Sequence, residues 1–414
     1  MVIRMVKSEN PKYPARNEED AQSLNARLRG KINQRIEQGN YRQLKSFPDL
    51  VDFSSNDYLG FARSKSLYER IKEYEQAHAE LIFAGAGASR LISGNHALYG
   101  ICEEKLASFY QSQKVLVFNS GYDANLGLFS SLCDRNDTIL YDEDVHASIR
   151  DGIRLSHARS FSFAHNDLES LKEKISYVEK TRKSAINSSR DKRGNIIVAI
   201  ESVYSMEGVK KTPEGKYAME EIIEFCHDHG IYIIVDEAHA TGIFGENGQG
   251  LVRERNLQEK VFARVHTFGK ALGVHGGCVA GSQLLYDYLV NFARSFVYTT
   301  ALPPHSLVSI LAAHDALEES ADTRLSLNEN IRLFNDEYYG RDVFHANDSA
   351  IHTVAAGSNE NARKLADRCR ENGFDVRAIL SPTVAPGKEM LRLCLHAFNT
   401  QDQVKRLAAV LKNQ

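Results

Sequence analysis

The chain has 414 residues, with 51 Lys or Arg against 54 Asp or Glu, and its formal net charge of -3 gives no global attraction to nucleic acid or an anionic membrane. Apolar residues make up 43% and charged residues 25%, and Gly outnumbers Pro by 27 to 8, which excludes wholesale disorder and collagen-like structure. At about 150 residues per domain, the length predicts two to three domains.

The first residues contain no apolar stretch of signal-peptide length, and no run of about 18 apolar residues follows anywhere, so no membrane span is expected. Six cysteines, Cys102, Cys133, Cys226, Cys278, Cys369 and Cys394, are scattered without a C-x-x-C pair. Free buried thiols in a reducing cytoplasm fit this pattern better than a disulfide framework or a zinc site, and no metal centre is expected.

The polar stretch to about residue 50 predicts an appended arm with a helix from about Glu18 to Glu37, placing Leu24, Leu28, Ile32 and Ile36 on one stripe. After Phe53, apolar strand-like runs alternate with helical stretches: Lys114 to Asn119, Thr138 to Tyr141, Asn195 to Glu201, Ile231 to Asp236, Val261 to Thr267 and Gly277 to Ala280. Repeated strand and helix predict an α/β domain with a mostly parallel sheet. Between these runs, Lys172 to Arg193 is strongly basic and reads as a solvated helix end and loop. From about His305 the pattern becomes a long helix, short strands near Ala350 to Ala355 and Leu391 to Leu395, and a last helix from about Thr400, which predicts a smaller α+β unit. The expected division is an N-terminal arm over 1–52 that joins the small domain, a large domain over 53–304, and a small domain over 305–414.

In parallel sheets, ligands bind beyond the carboxyl ends of the strands, so the residues just after each run are the candidates. They read Ser120-Gly121-Tyr122, Asp142 to His146, Ser202 to Ser205, Asp236-Glu237-Ala238-His239 and Thr267-Phe268-Gly269-Lys270. Each has an ordinary reading alone: a helix cap at Gly121, a structural ion pair at Asp236, a capping histidine at His239, a surface lysine at Lys270. A P-loop ATPase strand would also end in Asp236-Glu237, but the chain has no G-x-x-x-x-G-K-[ST] loop. Gly85 to Gly94 fails the dinucleotide fingerprint because Arg90 stands where the third glycine belongs. Together, however, one sheet presents a helix N-terminus for a phosphate, the flat ring of His146, the anion of Asp236, the donor His239, and the amine of Lys270 with glycines around it. That set suits pyridoxal 5′-phosphate (PLP), whose phosphate, ring, pyridine nitrogen, phenolic oxygen and aldehyde each find a partner.

At these residues the sequence resembles the α-oxoamine synthases, a branch of the fold-type I PLP enzymes. The motifs are Ser54-Ser55-Asn56-Asp57-Tyr58-Leu59-Gly60, Gly85 to Gly94, Ser120-Gly121-Tyr122, Asp236 to Gly242 and Thr267 to Lys270. Phe163-Ala164-His165-Asn166-Asp167, Phe292-Ala293-Arg294, Tyr298-Thr299-Thr300 and Ser381-Pro382-Thr383-Val384 are similar to the biotin-pathway branch. The resemblance implies decarboxylative condensation of L-alanine with a pimeloyl thioester, on coenzyme A or acyl-carrier protein, to 8-amino-7-oxononanoate. It implies that Lys270 carries the cofactor and acts as base, that Asp236 keeps the pyridine nitrogen protonated, and that His146 stacks on the ring. His239 and Ser205 then contact the phenolic side, and Gly121, Tyr122 and Thr267 hold the phosphate. Thr300 would reach the partner subunit's phosphate, which implies a homodimer. Arg42 matches an arginine on the acyl-substrate side, Thr383 a substrate-loop residue, Asn56 a site residue, and Arg392 the arginine for the amino-acid carboxylate. In one departure, Leu380 stands where the family usually has an arginine, with Arg377 nearby but in another register. The alternatives are glycine C-acetyltransferase, serine palmitoyltransferase, or a PLP-binding protein without catalysis.

Overall fold

The computed structural model describes residues 23–44, 49–185, 194–340 and 347–412. Contacts group these residues into two compact units, one of Phe53–His352 with the segment from Leu393 onward, the other of the residues up to Asp52 with Thr353–Arg392. The division differs from the boundary expected at 304/305. The helix Pro304–Glu318 buries nearly all of its length, from Leu307 through Leu317, and packs on the helices Lys65–Ala77 and Ala97–Phe109 of the larger unit.

The strands in chain order are β1 (Val51–Asp52), β2 (Lys114–Phe118), β3 (Thr138–Asp142), β4 (Arg159–Phe163), β5 (Ile196–Glu201), β6 (Tyr232–Asp236), β7 (Ala263–Thr267), β8 (Gly277–Gly281), β9 (Ile351–Ala355), β10 (Phe374–Asp375), β11 (Arg377–Ile379) and β12 (Met390–Cys394). β2 to β8 form a seven-stranded sheet in the order β2-β8-β7-β6-β5-β3-β4. Only β8 runs against its neighbours, so β2 to β7 all end at one edge. The predicted apolar runs are these strands, buried on both faces as parallel strands must be. β4 was not expected. Its Arg-Ser-Phe-Ser-Phe alternation is an edge strand with one wet face, and it carries no continuous apolar run.

The sheet sits in a core that includes Leu116, Phe118, Phe129, Ile149, Ala199, Ile234 and Val265. The helix Gly121–Leu132 begins where Ser120 caps it, its hydroxyl oxygen accepting from the Asp123 N–H at 3.1 Å. Gly273, with φ +66, turns the chain after Lys270 so close to the Phe61–Ala62 backbone that a Cβ would lie 2.2 Å from the Ala62 nitrogen.

In the smaller unit, β1 pairs with β10 in parallel and β11 pairs antiparallel with β12. Arg377 lies directly opposite Arg392 across the β11–β12 pair, a juxtaposition that the sequence reading did not draw. The arm helix is Leu24–Glu37, capped by Ser23; its expected start at Glu18 lies outside the described residues. Its apolar stripe is not buried, with Leu24 59% and Leu28 49% exposed. The basic stretch from Lys172 runs through most of the helix Leu168–Ala185, and residues 186–193 lie outside the described set.

Candidate active site

β6 ends in Asp236, which is 4% exposed and accepts two hydrogen bonds: from Asn125 Nδ2 at 2.6 Å and from the Ala238 N–H at 2.8 Å. The same Asn125 amide donates to Ser148 Oγ at 3.0 Å, and that hydroxyl lies 2.8 Å from His146 Nδ1. The Ser148 backbone N–H also points at His146 Nδ1, at 3.2 Å, so Nδ1 is the acceptor and the proton of the neutral ring sits on Nε2. Burial lowers the pKa of His146, with the Asp236 charge acting against that shift and the Lys270 charge reinforcing it. An uncharged ring of fixed tautomer therefore stands beside a buried carboxylate. Glu237, the next residue, turns the other way and accepts from the Val252 N–H at 2.9 Å, and burial raises its pKa to about 7. It is a structural carboxylate.

Lys270 Nζ lies 2.8 Å from His239 Nε2, and His239 Nδ1 lies 2.8 Å from the Tyr58 hydroxyl. Tyr58 in turn reaches Asn56 Oδ1 at 3.2 Å. When Tyr58 donates to Asn56, its oxygen accepts from His239 Nδ1–H and Nε2 is left to accept from the lysine. When Tyr58 donates to His239, Nε2 carries the proton and donates to an uncharged amine. The chain from Asn56 to Lys270 thus has two proton arrangements, each matched to one charge state of the lysine.

At Gly121, where a phosphate cradle is expected, the helix N-terminus closely approaches Thr267. A Cβ on Gly121 would sit 3.0 Å from Thr267 Cβ and 3.2 Å from its hydroxyl, so a helix N-terminus and a hydroxyl converge where only glycine leaves room. Tyr122 is exposed, bonds Asp151 through its hydroxyl and sets its ring edge-on to His146, with centroids 6.3 Å apart. Ser205 follows β5, in the turn bridged between Tyr204 and Gly208. The Thr300 carbonyl accepts from Asn119 Nδ2 at 2.9 Å, and its side chain stands at an exposed position. In the smaller unit, Arg42 Nη2 donates to Thr383 Oγ1 at 3.1 Å, which joins two predicted substrate residues 341 positions apart.

The larger unit therefore supplies an amine, a buried anion, a flat neutral ring and a glycine-lined helix end, the donor set that PLP requires, and these residues fit that cofactor. Sequence reasoning missed Asn125, Ser148, Tyr58 and Glu201. Asn125 lies one helical turn after Gly121, and Ser148 lies two residues after His146; those spacings were the available signals. Glu201, opposite Asp236 in register, is 2% exposed and accepts the His146 backbone N–H, and burial, with Asp236 next, raises its pKa.

A second cluster lies at His165, whose Nδ1 contacts Asp142 at 2.9 Å and whose Nε2 contacts Glu207 at 3.0 Å. Burial alone would lower its pKa, but the bonds to Asp142 and Glu207 prevail and raise it to about 10. With a proton on each nitrogen the ring is a cationic clamp, and the grouping Asp144, His165 and Glu207 has no imidazole lone pair to offer an ion. Arg90, the residue that broke the dinucleotide fingerprint, is likewise structural: it pairs with Glu103, both side chains 9% exposed, and lies 3.8 Å over the Tyr99 ring.

Residues 48–411 match the aminotransferase class I and II family, and the chain belongs to that family of PLP-dependent, fold-type I enzymes. Over 393 residues it is 39% identical to the 8-amino-7-oxononanoate synthase of Emericella nidulans, covering 92% of this chain and 93% of that one. Among solved structures it is similar to SPT with its PLP internal aldimine, with TM-score 0.80 and 25% identity over 95% of this chain and 98% of the other. It is also similar to the 8-amino-7-oxononanoate synthase from Francisella tularensis, with TM-score 0.71 and 27% identity over 89% and 98%. The cofactor and fold expected from the motifs hold: the protein is a PLP-dependent acyltransferase-type enzyme.

Proposed function

We propose that the protein condenses L-alanine with a pimeloyl thioester, releasing carbon dioxide and the free thiol carrier and forming 8-amino-7-oxononanoate for biotin synthesis. The observation that carries this is the pairing of the Lys270–His239–Tyr58 chain with the Asp236–Asn125–Ser148–His146 chain in a protein 39% identical to a synthase of that name. When bound, PLP supplies an electron sink for the negative charge that develops at the amino-acid α-carbon. Lys270 holds the cofactor and moves the proton at that carbon, with His239 adjusting its tautomer to the lysine's charge. Asp236 keeps a proton on the pyridine nitrogen, and the neutral His146 ring covers one face. Gly121, Tyr122 and Thr267 hold the phosphate, with Thr300 serving the partner subunit of a homodimer, and Ser205 lies on the phenolic side. Arg392 grips the amino-acid carboxylate through paired hydrogen bonds, Arg42 serves the acyl substrate, and Asn56 and Thr383 are further substrate-binding residues. The six buried cysteine thiols, suited to a reducing compartment, support a cytoplasmic location.

The test offers L-alanine, glycine and L-serine, each with pimeloyl, acetyl and palmitoyl thioesters, and identifies products by mass spectrometry. Alanine with the pimeloyl thioester is the expected pair, and Lys270→Ala removes both the yellow colour and the product. Preference for serine with the palmitoyl thioester overturns the proposal in favour of the SPT-like reading, which the TM-score of 0.80 keeps in view.

A further inference from the structure

His165 stands two residues past the end of β4, the edge strand of the large sheet, and its ring reaches over neighbouring β3 to the turn that follows β5. Nδ1 lies 2.9 Å from Asp142 Oδ1 at the end of β3, with Asp144 Oδ2 further off at 3.8 Å, and Nε2 lies 3.0 Å from Glu207 Oε2. The ring also meets Tyr204 edge to face, with centroids 4.4 Å apart. The Asn166 amide lies 2.8 Å from Nε2 and presents its oxygen when that nitrogen is protonated. Surface ion pairs contribute little on their own, but the His165 side chain is 12% exposed and Asp142 is fully buried. Asn166 takes a left-handed φ of +52, which Asp142 stabilises by accepting its backbone N–H at 2.8 Å, so the chain bends sharply where it delivers the imidazole.

What the ring holds is the turn from Tyr204 to Gly208. Its ends are joined by the Tyr204 N–H to the Gly208 carbonyl at 2.7 Å and by the Gly208 N–H to the Tyr204 carbonyl at 2.9 Å, and its tip is Ser205-Met206-Glu207. Asn347 fixes the far side: its Nδ2 donates to the Glu207 carbonyl at 2.6 Å, and its Oδ1 accepts from the Val209 N–H at 3.3 Å. Gly208, with φ +75, leaves no slack there, since a Cβ would lie 2.2 Å from that amide nitrogen. Glu207 is therefore gripped by its side chain and by its backbone, two residues from Ser205. We propose that His165 is a positioning residue of the cofactor site, setting Ser205 against the phenolic oxygen of PLP by tying Glu207 to Asp142; this rests on the reading that puts Ser205 on the phenolic side. Burial opposes a proton on each ring nitrogen, but the bonds to Asp142 and Glu207 prevail, so the tie is charge-assisted at both ends.

The experiment reads the bound cofactor rather than turnover. In PLP-loaded protein, the balance between the visible and near-ultraviolet absorption bands follows hydrogen bonding at the phenolic oxygen, and titration of cofactor-free protein gives the affinity. Glu207→Gln weakens the turn side of the bridge at a half-exposed position where folding is little affected, and His165→Gln weakens both sides. Each should shift the balance of bands and raise the dissociation constant for PLP, roughly fivefold in His165→Gln and less in Glu207→Gln, as for one lost hydrogen bond. The double variant should match His165→Gln alone. In a Ser205→Ala background, neither substitution should change either reading further. A loosening of the fold at large would instead lower affinity in both backgrounds, and that result overturns the assignment, as does a wild-type spectrum and affinity in Glu207→Gln and His165→Gln. A spectral shift in Ser205→Ala with none in His165→Gln refutes the bridge and leaves the cofactor reading standing. A wild-type spectrum in Ser205→Ala refutes the placement of Ser205 and the bridge's role with it.

Discussion

Asn125 is the hinge between the carboxylate and the ring, and Asn125→Ala is the sharpest test of the site. The substitution removes a 2.6 Å bond to the buried Asp236 and a 3.0 Å bond to Ser148 in one step. Hydrogen bonds to charged groups contribute about 1.5–3 kcal/mol. The Ala238 N–H remains on the other carboxylate oxygen, so Asp236 keeps part of its support and the lower half of that range applies. If the amide holds Asp236 in the position that pairs with the pyridine nitrogen, roughly 1.5–2 kcal/mol corresponds to a rise of about 10- to 30-fold in the dissociation constant for PLP. The assay is equilibrium titration of the cofactor-free protein with PLP, followed by its absorbance. Ser148→Ala serves as the companion, because it cuts only the His146 end and leaves the Asp236–Asn125 contact whole. Its expected loss is the smaller contribution of a neutral bond, about 0.5–1.5 kcal/mol. Wild-type affinity in Asn125→Ala, or a larger loss in Ser148→Ala than in Asn125→Ala, would refute the reasoning.

Tyr58→Phe keeps the buried ring but removes the hydroxyl 2.8 Å from His239, so one of the two proton arrangements disappears; kcat should fall about 10-fold, or about 1.4 kcal/mol, in steady-state thiol release, and an unchanged kcat and pH profile would count against the relay. Gly121→Ala should fold yet hold PLP about tenfold less tightly, since its Cβ at 3.0 Å from Thr267 Cβ forces the cradle apart at a cost of about 1–3 kcal/mol; a dissociation constant equal to wild type would place the phosphate elsewhere. His165 titrates at about 10 in the folded protein, above its ordinary 6.5, so its contribution to stability is complete below pH 6.5 and is lost as pH rises toward 10. Glu207 is 53% exposed and screened, which limits the loss to on the order of 2–4 kcal/mol. Denaturant melts between pH 6 and pH 10 should show this slope in the wild type and a flatter one in His165→Gln; parallel curves would remove the clamp.

What the sequence made legible follows from where each residue's partners lie. Parallel strands buried on both faces must be apolar runs, and a sheet with all but one strand parallel must bring their carboxyl ends to one edge, so Gly121, His146, Ser205, Asp236, His239 and Lys270 could be grouped before any coordinate was known. The side chains that hold them could not. Asn125 reads as an unremarked polar residue in a helix because its partner Asp236 is 111 positions away, and Tyr58 reads as core because His239 is 181 positions away. Arg42 and Thr383 were named only through resemblance, since no local pattern predicts a contact across 341 residues. The same limit applies to Arg377, which was weighed only against the Leu380 position and which antiparallel pairing sets opposite Arg392. The overall charge of -3 conceals a groove of the smaller unit for a related reason: five arginines, Arg35, Arg42, Arg363, Arg370 and Arg377, converge there from two helices, a strand and a connecting segment, and composition averages over surfaces that folding separates. A chain of near-neutral total charge can therefore present a strongly cationic concavity, provided the fold gathers its arginines in one place and scatters its carboxylates elsewhere.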